Sequence, residues 1–121
     1  MTVFDASALL AYLRDEPGAA LVRERLLAGG TCSAANWSEV AQKVRGAGAD
    51  WALARGLLLS YPLSVEPVGL DDAERAAALW ADAPEFSLAD RLCIALAERM
   101  ETVALTADAA WKKHPRAQLI R

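Results

Sequence analysis

Four acidic residues lie in or next to the first turns of predicted helices, and two of them, Asp5 and Asp108, fall at or just after the carboxyl end of a predicted strand. Asp5 closes an apolar strand over 2–5, and Asp108 follows a strand over 102–105. Glu39 and Asp90 lie in helices, with Glu39 about one and a half turns in and Asp90 in the first turn. Ligands bind at the sheet edge where the carboxyl ends of parallel strands meet. Carboxylates crowded there repel one another, and a hard divalent cation such as Mg²⁺ or Mn²⁺ relieves the repulsion.

Three of these acids also have a purely structural explanation as helix caps. Asp5 could cap the helix that follows it, and for this residue alone the structural and functional explanations stand about even. Asp90 could form a capping box with Ser87, a role compatible with metal binding because a carboxylate has two oxygens. Asp108 could stabilise the first turn of a short helix, with Thr106 as its cap.

Glu39 has the strongest local alternative. It could pair with Lys43 four residues on, a surface contact worth only about 0.3–0.5 kcal/mol. Asn36, Glu39 and Lys43 share one side of the predicted helix, while Trp37 and Val40 follow the core spacing. Locally the surface pair is the preferred explanation, and only the joint pattern of the four acids favours a shared site.

Apolar periodicity and turn signals predict an alternation of strands and helices. Strands are predicted at 2–5, 31–33, 63–66, 102–105 and 117–120. Helices are predicted at 6–13, 19–28, 34–45, 51–60, 71–82, 87–99 and 107–112. Such alternation indicates an α/β fold with a mostly parallel sheet covered on both faces. A length of 121 residues suits a single domain over 1–121.

Few other residues could carry chemistry. Cys32 and Cys93 lie in apolar stretches without metal-type spacing, so both are predicted to be reduced core thiols of a cytoplasmic protein. His114, the only histidine, lies in a polar stretch, so a histidine-based zinc site is not expected. A signal peptide is not expected, because no basic region precedes the first apolar run and Asp5 interrupts that run. A membrane span is not expected, because no run approaches about 18 uninterrupted apolar residues.

The charge balance leaves the class of partner open. A net charge of −3 at first argues against nucleic acid. If the four acids bind a metal, 12 acids remain against 13 Lys and Arg, a balance of +1. The overall charge therefore does not exclude a nucleic-acid substrate.

Four short motifs occur in order along the whole chain. They are Asp5-Ala-Ser, Ser33 with Asn36 and Glu39, Ser87-Leu-Ala-Asp90-Arg91, and Leu105-Thr-Ala-Asp108 with Trp111. Together they resemble the motifs of PIN domains, and more narrowly those of the VapC-type toxins of bacterial toxin–antitoxin pairs. The last two motifs are specific in combination, whereas the first alone is weak.

The resemblance implies a three-layer α/β/α domain that acts as a metal-dependent endoribonuclease, with a metal-activated water hydrolysing RNA. It implies Mg²⁺ or Mn²⁺ as cofactor, a homodimer, and a cognate antitoxin that covers the active site. The acidic quartet implied is Asp5, Glu39, Asp90 and Asp108. Ser7 and Thr106 match polar positions beside that quartet.

Arg91, Arg14 and Lys43 are candidate RNA contacts, although ordinary surface charge explains any one of them. The alternatives are a catalytically silent interaction module of the same shape and a receiver-type signalling domain. The receiver domain is disfavoured because Asp5 has no acidic neighbour and the strand over 63–66 ends without an aspartate. A DNA substrate also stays open, since nothing in the sequence recognises a 2′-hydroxyl.

Overall fold

The computed structural model describes residues 1–121 and is built around one five-stranded sheet. The strands are β1 (Thr2–Phe4), β2 (Gly30–Ser33), β3 (Leu63–Glu66), β4 (Ala104–Thr106) and β5 (Ala117–Leu119). Their order across the sheet is β3-β2-β1-β4-β5, and all four pairings are parallel. The predicted α/β fold class is confirmed, with a sheet that is parallel throughout.

Six α-helices and one short 3₁₀ helix connect the strands. The α-helices are α1 (Ala6–Leu13), α2 (Ala19–Ala28), α3 (Ala34–Gly46), α4 (Trp51–Leu59), α5 (Leu70–Leu79) and α6 (Leu88–Arg99), and the 3₁₀ helix spans Ala109–Trp111. The helix predicted over 71–82 stops at Leu79, and Pro84 disfavours helical backbone at the residue before it. The helix predicted over 107–112 is only this 3₁₀ turn, because Asp108 is extended. No helix is both long and apolar enough to cross a lipid bilayer.

Helices cover both faces of the sheet. Successive residues of a strand point to opposite faces, so Val3 and Phe4 belong to two different core clusters. The Phe4 cluster draws on α1 to α4, and the Val3 cluster draws on α5, α6 and the 3₁₀ helix. Cys32 lies in the first cluster and Cys93 in the second, and both thiols are free and buried, as predicted.

The strand order places a switch point beside β1. The chain adds β2 and β3 on one side of β1 and then crosses to add β4 and β5 on the other. The amide of Asp5 donates to the carbonyl of Leu105 at 2.9 Å, which joins the carboxyl ends of β1 and β4. In open parallel sheets the crevice at such a switch point is where ligands bind.

Candidate active site

Asp5 lies at this switch point, at the N-cap position of α1, but its side chain does not cap the helix. The side-chain hydroxyls of Ser7 and Thr106 instead donate to its Oδ2 at 2.6 and 2.8 Å. The residue is only 4% exposed. The capping explanation for Asp5 therefore does not account for its side chain, which is held inward across the β1–β4 junction.

Ionisation of Asp5 is opposed by its surroundings. Burial is the main influence and raises the pKa of Asp5 from 3.8 to about 6, while the hydrogen bonds from Ser7 and Thr106 act in the opposite direction. The negative charges of Asp90 and Glu39 also raise the pKa of Asp5, and the value of about 6 is the result of all these influences together. A buried carboxylate under like-charge repulsion is a feature of sites that bind a cation or transfer a proton.

Ser7 and Thr106 also organise the loop after β4. The Ser7 hydroxyl accepts from the amide of Ala107 at 2.9 Å, and the Thr106 hydroxyl accepts from the amide of Asp108 at 3.1 Å. Each hydroxyl therefore links Asp5 to the backbone of the segment that carries Asp108. Both residues predicted as polar neighbours of the quartet are in contact with one of its members.

Glu39 lies in the second turn of α3 and is partly exposed. The predicted pair with Lys43 is not formed; the Nδ2 of Asn36 donates to Glu39 Oε1 at 3.1 Å. Asn36 is fully buried and also donates to the carbonyl of Ala89 at 3.3 Å. Asn36 is not among the predicted site residues, although its position three residues before Glu39 on the same helix side was the available signal.

Asp90 is the third residue of α6 and forms the predicted capping box. The amide of Asp90 donates to Ser87 Oγ, and the amide of Ser87 donates to Asp90 Oδ2, both at 3.1 Å. Partial burial is the main influence on the pKa of Asp90 and raises it, and the negative charge of Asp108 acts in the same direction. The hydrogen bonds with Ser87 and the positive charge of Lys43 lower the pKa. The influence of Asp108 places that carboxylate within electrostatic reach of Asp90.

Asp108 is exposed and caps the 3₁₀ helix through its own side chain. Its Oδ1 accepts from the amide of Ala110 at 2.9 Å, and its carbonyl accepts from the amide of Trp111 at 3.1 Å. Trp111 is fully buried and stacks on Phe86, with ring centroids 5.4 Å apart. Trp111 thus braces the segment that carries Asp108.

The four carboxylates share one feature. Each accepts its protein hydrogen bonds through a single oxygen: Oδ2 of Asp5, Oε1 of Glu39, Oδ2 of Asp90 and Oδ1 of Asp108. The second oxygen of each has no protein donor. Every side chain is thus oriented by the protein and keeps an oxygen available to a ligand.

The donor chemistry of this group fits a hard cation, since Mg²⁺ and Mn²⁺ prefer oxygen ligands. The spacing is wider than a bound ion requires, because no three His, Cys, Asp or Glu side chains lie close enough together to hold a metal. Asp5 is fixed by burial, whereas Asp108 is exposed and Glu39 and Asp90 are partly exposed. Binding of one ion by all four acids would therefore require these three side chains to move toward Asp5.

The three basic candidates differ in their positions. Arg91 donates to the carbonyls of Ala76 at 2.7 Å and Phe86 at 3.3 Å, so its guanidinium is used to join α5 and α6. Arg14 is the residue after α1, about 13.5 Å along the helix axis from Asp5. Lys43 is exposed and close enough to influence the ionisation of Asp90. Only Lys43 combines a free side chain with proximity to the acids.

Comparisons with known proteins agree on the family and the fold. The family model described as PIN domain matches residues 2–117. A search of curated proteins finds no relative of similar sequence. In a Klebsiella pneumoniae toxin-antitoxin complex, a chain 18% identical superposes with a TM-score of 0.80, covering 100% of this chain and 98% of that one.

Two further solved structures share the fold. VapBC2 from Rickettsia felis, bound to a DNA fragment from its promoter, contains a chain 13% identical with a TM-score of 0.74, covering 98% of this chain and 96% of that one. Mycobacterium tuberculosis VapC20, described as a Sarcin-Ricin loop cleaving toxin, is 17% identical with a TM-score of 0.74, and 96% of each chain is covered. At these identities the likeness concerns the fold.

Proposed function

Because the chain belongs to the PIN domain family, we propose that it is an endoribonuclease that uses Mg²⁺ or Mn²⁺ bound by Asp5, Glu39, Asp90 and Asp108. The observation that carries this proposal is the set of four carboxylates, each with one oxygen held by the protein and one left free. The raised pKa values of Asp5 and Asp90 support it, since a nearby cation would favour the charged carboxylates.

The chemistry that such a cation supplies to a phosphodiester is the activation of water and the neutralisation of charge that develops on the phosphate. The residues of the chain would bind the cation and orient the substrate. Asp5 is the fixed ligand, held through Oδ2 by two hydroxyls with its other oxygen available. Glu39, Asp90 and Asp108, from three other segments, would supply the remaining ligands. Lys43 is the basic residue best placed to contact a phosphate of the substrate.

A buried histidine or cysteine nucleophile has no place in this scheme. His114 is on the far C-terminal stretch and accepts from the amide of Arg116. Cys32 and Cys93 are buried, and burial raises the pKa of each thiol well above its ordinary range. The acids are the groups left to support hydrolysis.

The test is RNA cleavage by the purified protein with Mg²⁺, with EDTA, and in the Asp5→Asn and Asp90→Asn variants. We expect no cleavage in EDTA and a loss of about 100-fold or more in each variant, equal to about 2.7 kcal/mol of transition-state stabilisation. Asp50→Asn is the matched control, because Asp50 also caps a helix, accepting from the amide of Leu53, but lies outside the acidic group. Full activity in EDTA, or in both site variants, would contradict the proposal.

The proposed physiological role is that of a toxin, paired with a cognate antitoxin that covers the site and acting as a homodimer in the cytoplasm. Support comes from the shared fold with a chain of a toxin-antitoxin complex and with a Sarcin-Ricin loop cleaving toxin. Induced expression in bacteria should arrest growth with the wild-type chain and not with Asp5→Asn. Equal growth of the two cultures would contradict the toxin role. The nuclease activity would then be decided by the cleavage assay alone.

A further inference from the structure

Building on the proposed function, we propose that Asn36 is a positioning residue of the metal site. Its amide aims the carboxylate of Glu39 and ties α3, which carries Glu39, to the start of α6, which carries Asp90. Asn36 is uncharged and lies outside the acidic quartet. It acts by positioning Glu39 and does not contact the substrate.

The contacts of Asn36 bridge two of the segments that make the site. Its Nδ2 donates to Glu39 Oε1 at 3.1 Å and to the carbonyl of Ala89 at 3.3 Å. Ala89 directly precedes Asp90 in the first turn of α6. One amide group therefore fixes the distance between a carboxylate of α3 and the backbone that carries a carboxylate of α6.

The orientation of the amide follows from its neighbours. A carboxylate oxygen and a peptide carbonyl both only accept hydrogen bonds, so the nitrogen of Asn36 must face them and its oxygen must point away. That oxygen, Oδ1, is buried and has no partner in the protein. A buried acceptor without a donor is unfavourable, so stability alone would favour an apolar side chain of this volume. The two donated bonds are what asparagine adds at this position.

Glu39 has no other protein donor. Without Asn36, its partly exposed side chain would spread over several rotamers, since no other contact selects one. Loss of a hydrogen-bond partner of a metal ligand typically weakens metal affinity 10–100-fold. We therefore expect Asn36 to control the affinity of the site for the cation.

The test measures Mn²⁺ binding by electron paramagnetic resonance, which requires no catalytic turnover. Asn36→Leu keeps the number and branching of the side-chain heavy atoms and removes both the amide donor and the unpaired acceptor. Its Tm is measured alongside to show that the variant folds. We expect Mn²⁺ binding at least about tenfold weaker than in the wild type. Val44→Ala is the control, because Val44 is buried on the same helix two turns further on and makes no polar contact with the site.

A double-mutant cycle separates positioning from packing. In the Glu39→Gln background, Asn36→Leu should cause no further loss of Mn²⁺ affinity, because the group it positions has been neutralised. Equal binding by Asn36→Leu and the wild type, an equal loss in both backgrounds, or the same loss in Val44→Ala would each overturn the positioning role. If the wild type itself binds no Mn²⁺, the proposed metal-dependent function fails as well.

Discussion

At the scale of single residues, the site depends on how Asp5 is held. Burial disfavours its charged form, and the neighbouring acids add to that effect, while two hydroxyl donors oppose it. Ser7 and Thr106 reach Asp5 from opposite ends of the sequence, because β1 and β4 are adjacent in the sheet. Beside burial, the ionisation of Asp5 therefore depends on the pairing of β1 with β4, which brings Thr106 to this carboxylate.

Thr106→Val should move the acidic limb of the pH–rate profile for RNA cleavage to higher pH. The substitution removes a hydrogen bond that lowers the pKa of Asp5, so the pKa rises above about 6 and protons compete with the cation up to a higher pH. The profile is measured at subsaturating Mg²⁺. Thr31→Val is the matched control, since Thr31 is equally buried in β2 and its hydroxyl has no partner. An unmoved limb in Thr106→Val, or an equal shift in Thr31→Val, would argue against this role.

At the scale of elements, an aromatic stack joins two acid-bearing segments. Phe86 directly precedes Ser87, the cap of α6, and Trp111 ends the 3₁₀ helix that Asp108 begins. Their rings lie 5.4 Å apart with an interplanar angle of 29°. The stack therefore packs the residue before the α6 cap against the segment after β4, and we expect it to influence the spacing of Asp90 and Asp108.

Phe86→Leu should raise the Mg²⁺ concentration needed for half-maximal cleavage several-fold. It removes an aromatic pair worth about 1 kcal/mol and loosens both segments at once. Leu79→Val is the control, because Leu79 is equally buried in the same cluster and lies away from the acids. This substitution removes one CH₂ group, which lowers the free energy of unfolding by about 0.8 kcal/mol. If both variants shift the Mg²⁺ dependence alike, general destabilisation explains the effect and the bracing role is wrong.

At the scale of the whole molecule, the acidic edge reduces stability when no cation is present. The folded protein holds the proton of Asp5 more tightly than an unfolded chain does, because the pKa is raised from 3.8 to about 6. The contribution of Asp5 to the free energy of unfolding is therefore largest below about pH 4 and is lost as the pH rises through 6. The proposed function requires the charged form of Asp5, and this requirement opposes the stability of the metal-free fold.

In EDTA, Asp5→Asn should be more stable than the wild type at pH 7, by up to about 3 kcal/mol. The difference in Tm between the two proteins should grow from about pH 4 to pH 6 and then level off, because only the wild type ionises at this position. Adding Mg²⁺ at about 100 times its Kd should restore about 2.7 kcal/mol to the wild type and nothing to the variant. A variant less stable than the wild type at pH 7 in EDTA would contradict this account of Asp5.

The amino-acid sequence by itself determined the alternation of strands and helices, since periodicity and turn residues act locally. It also determined the capping box of Asp90, whose partner Ser87 is three residues away. It could not determine that Asp5 is bound by Thr106, that Glu39 is held by Asn36 rather than paired with Lys43, or that Phe86 stacks on Trp111. The contacts of Thr106 and Phe86 join residues that are distant in sequence. Glu39 is bound by Asn36 and not by Lys43 because Asn36 is buried against α6. Tertiary packing therefore decided which oxygen of Asp5 and of Glu39 is held by the protein, whereas local helix capping decided it for Asp90 and Asp108.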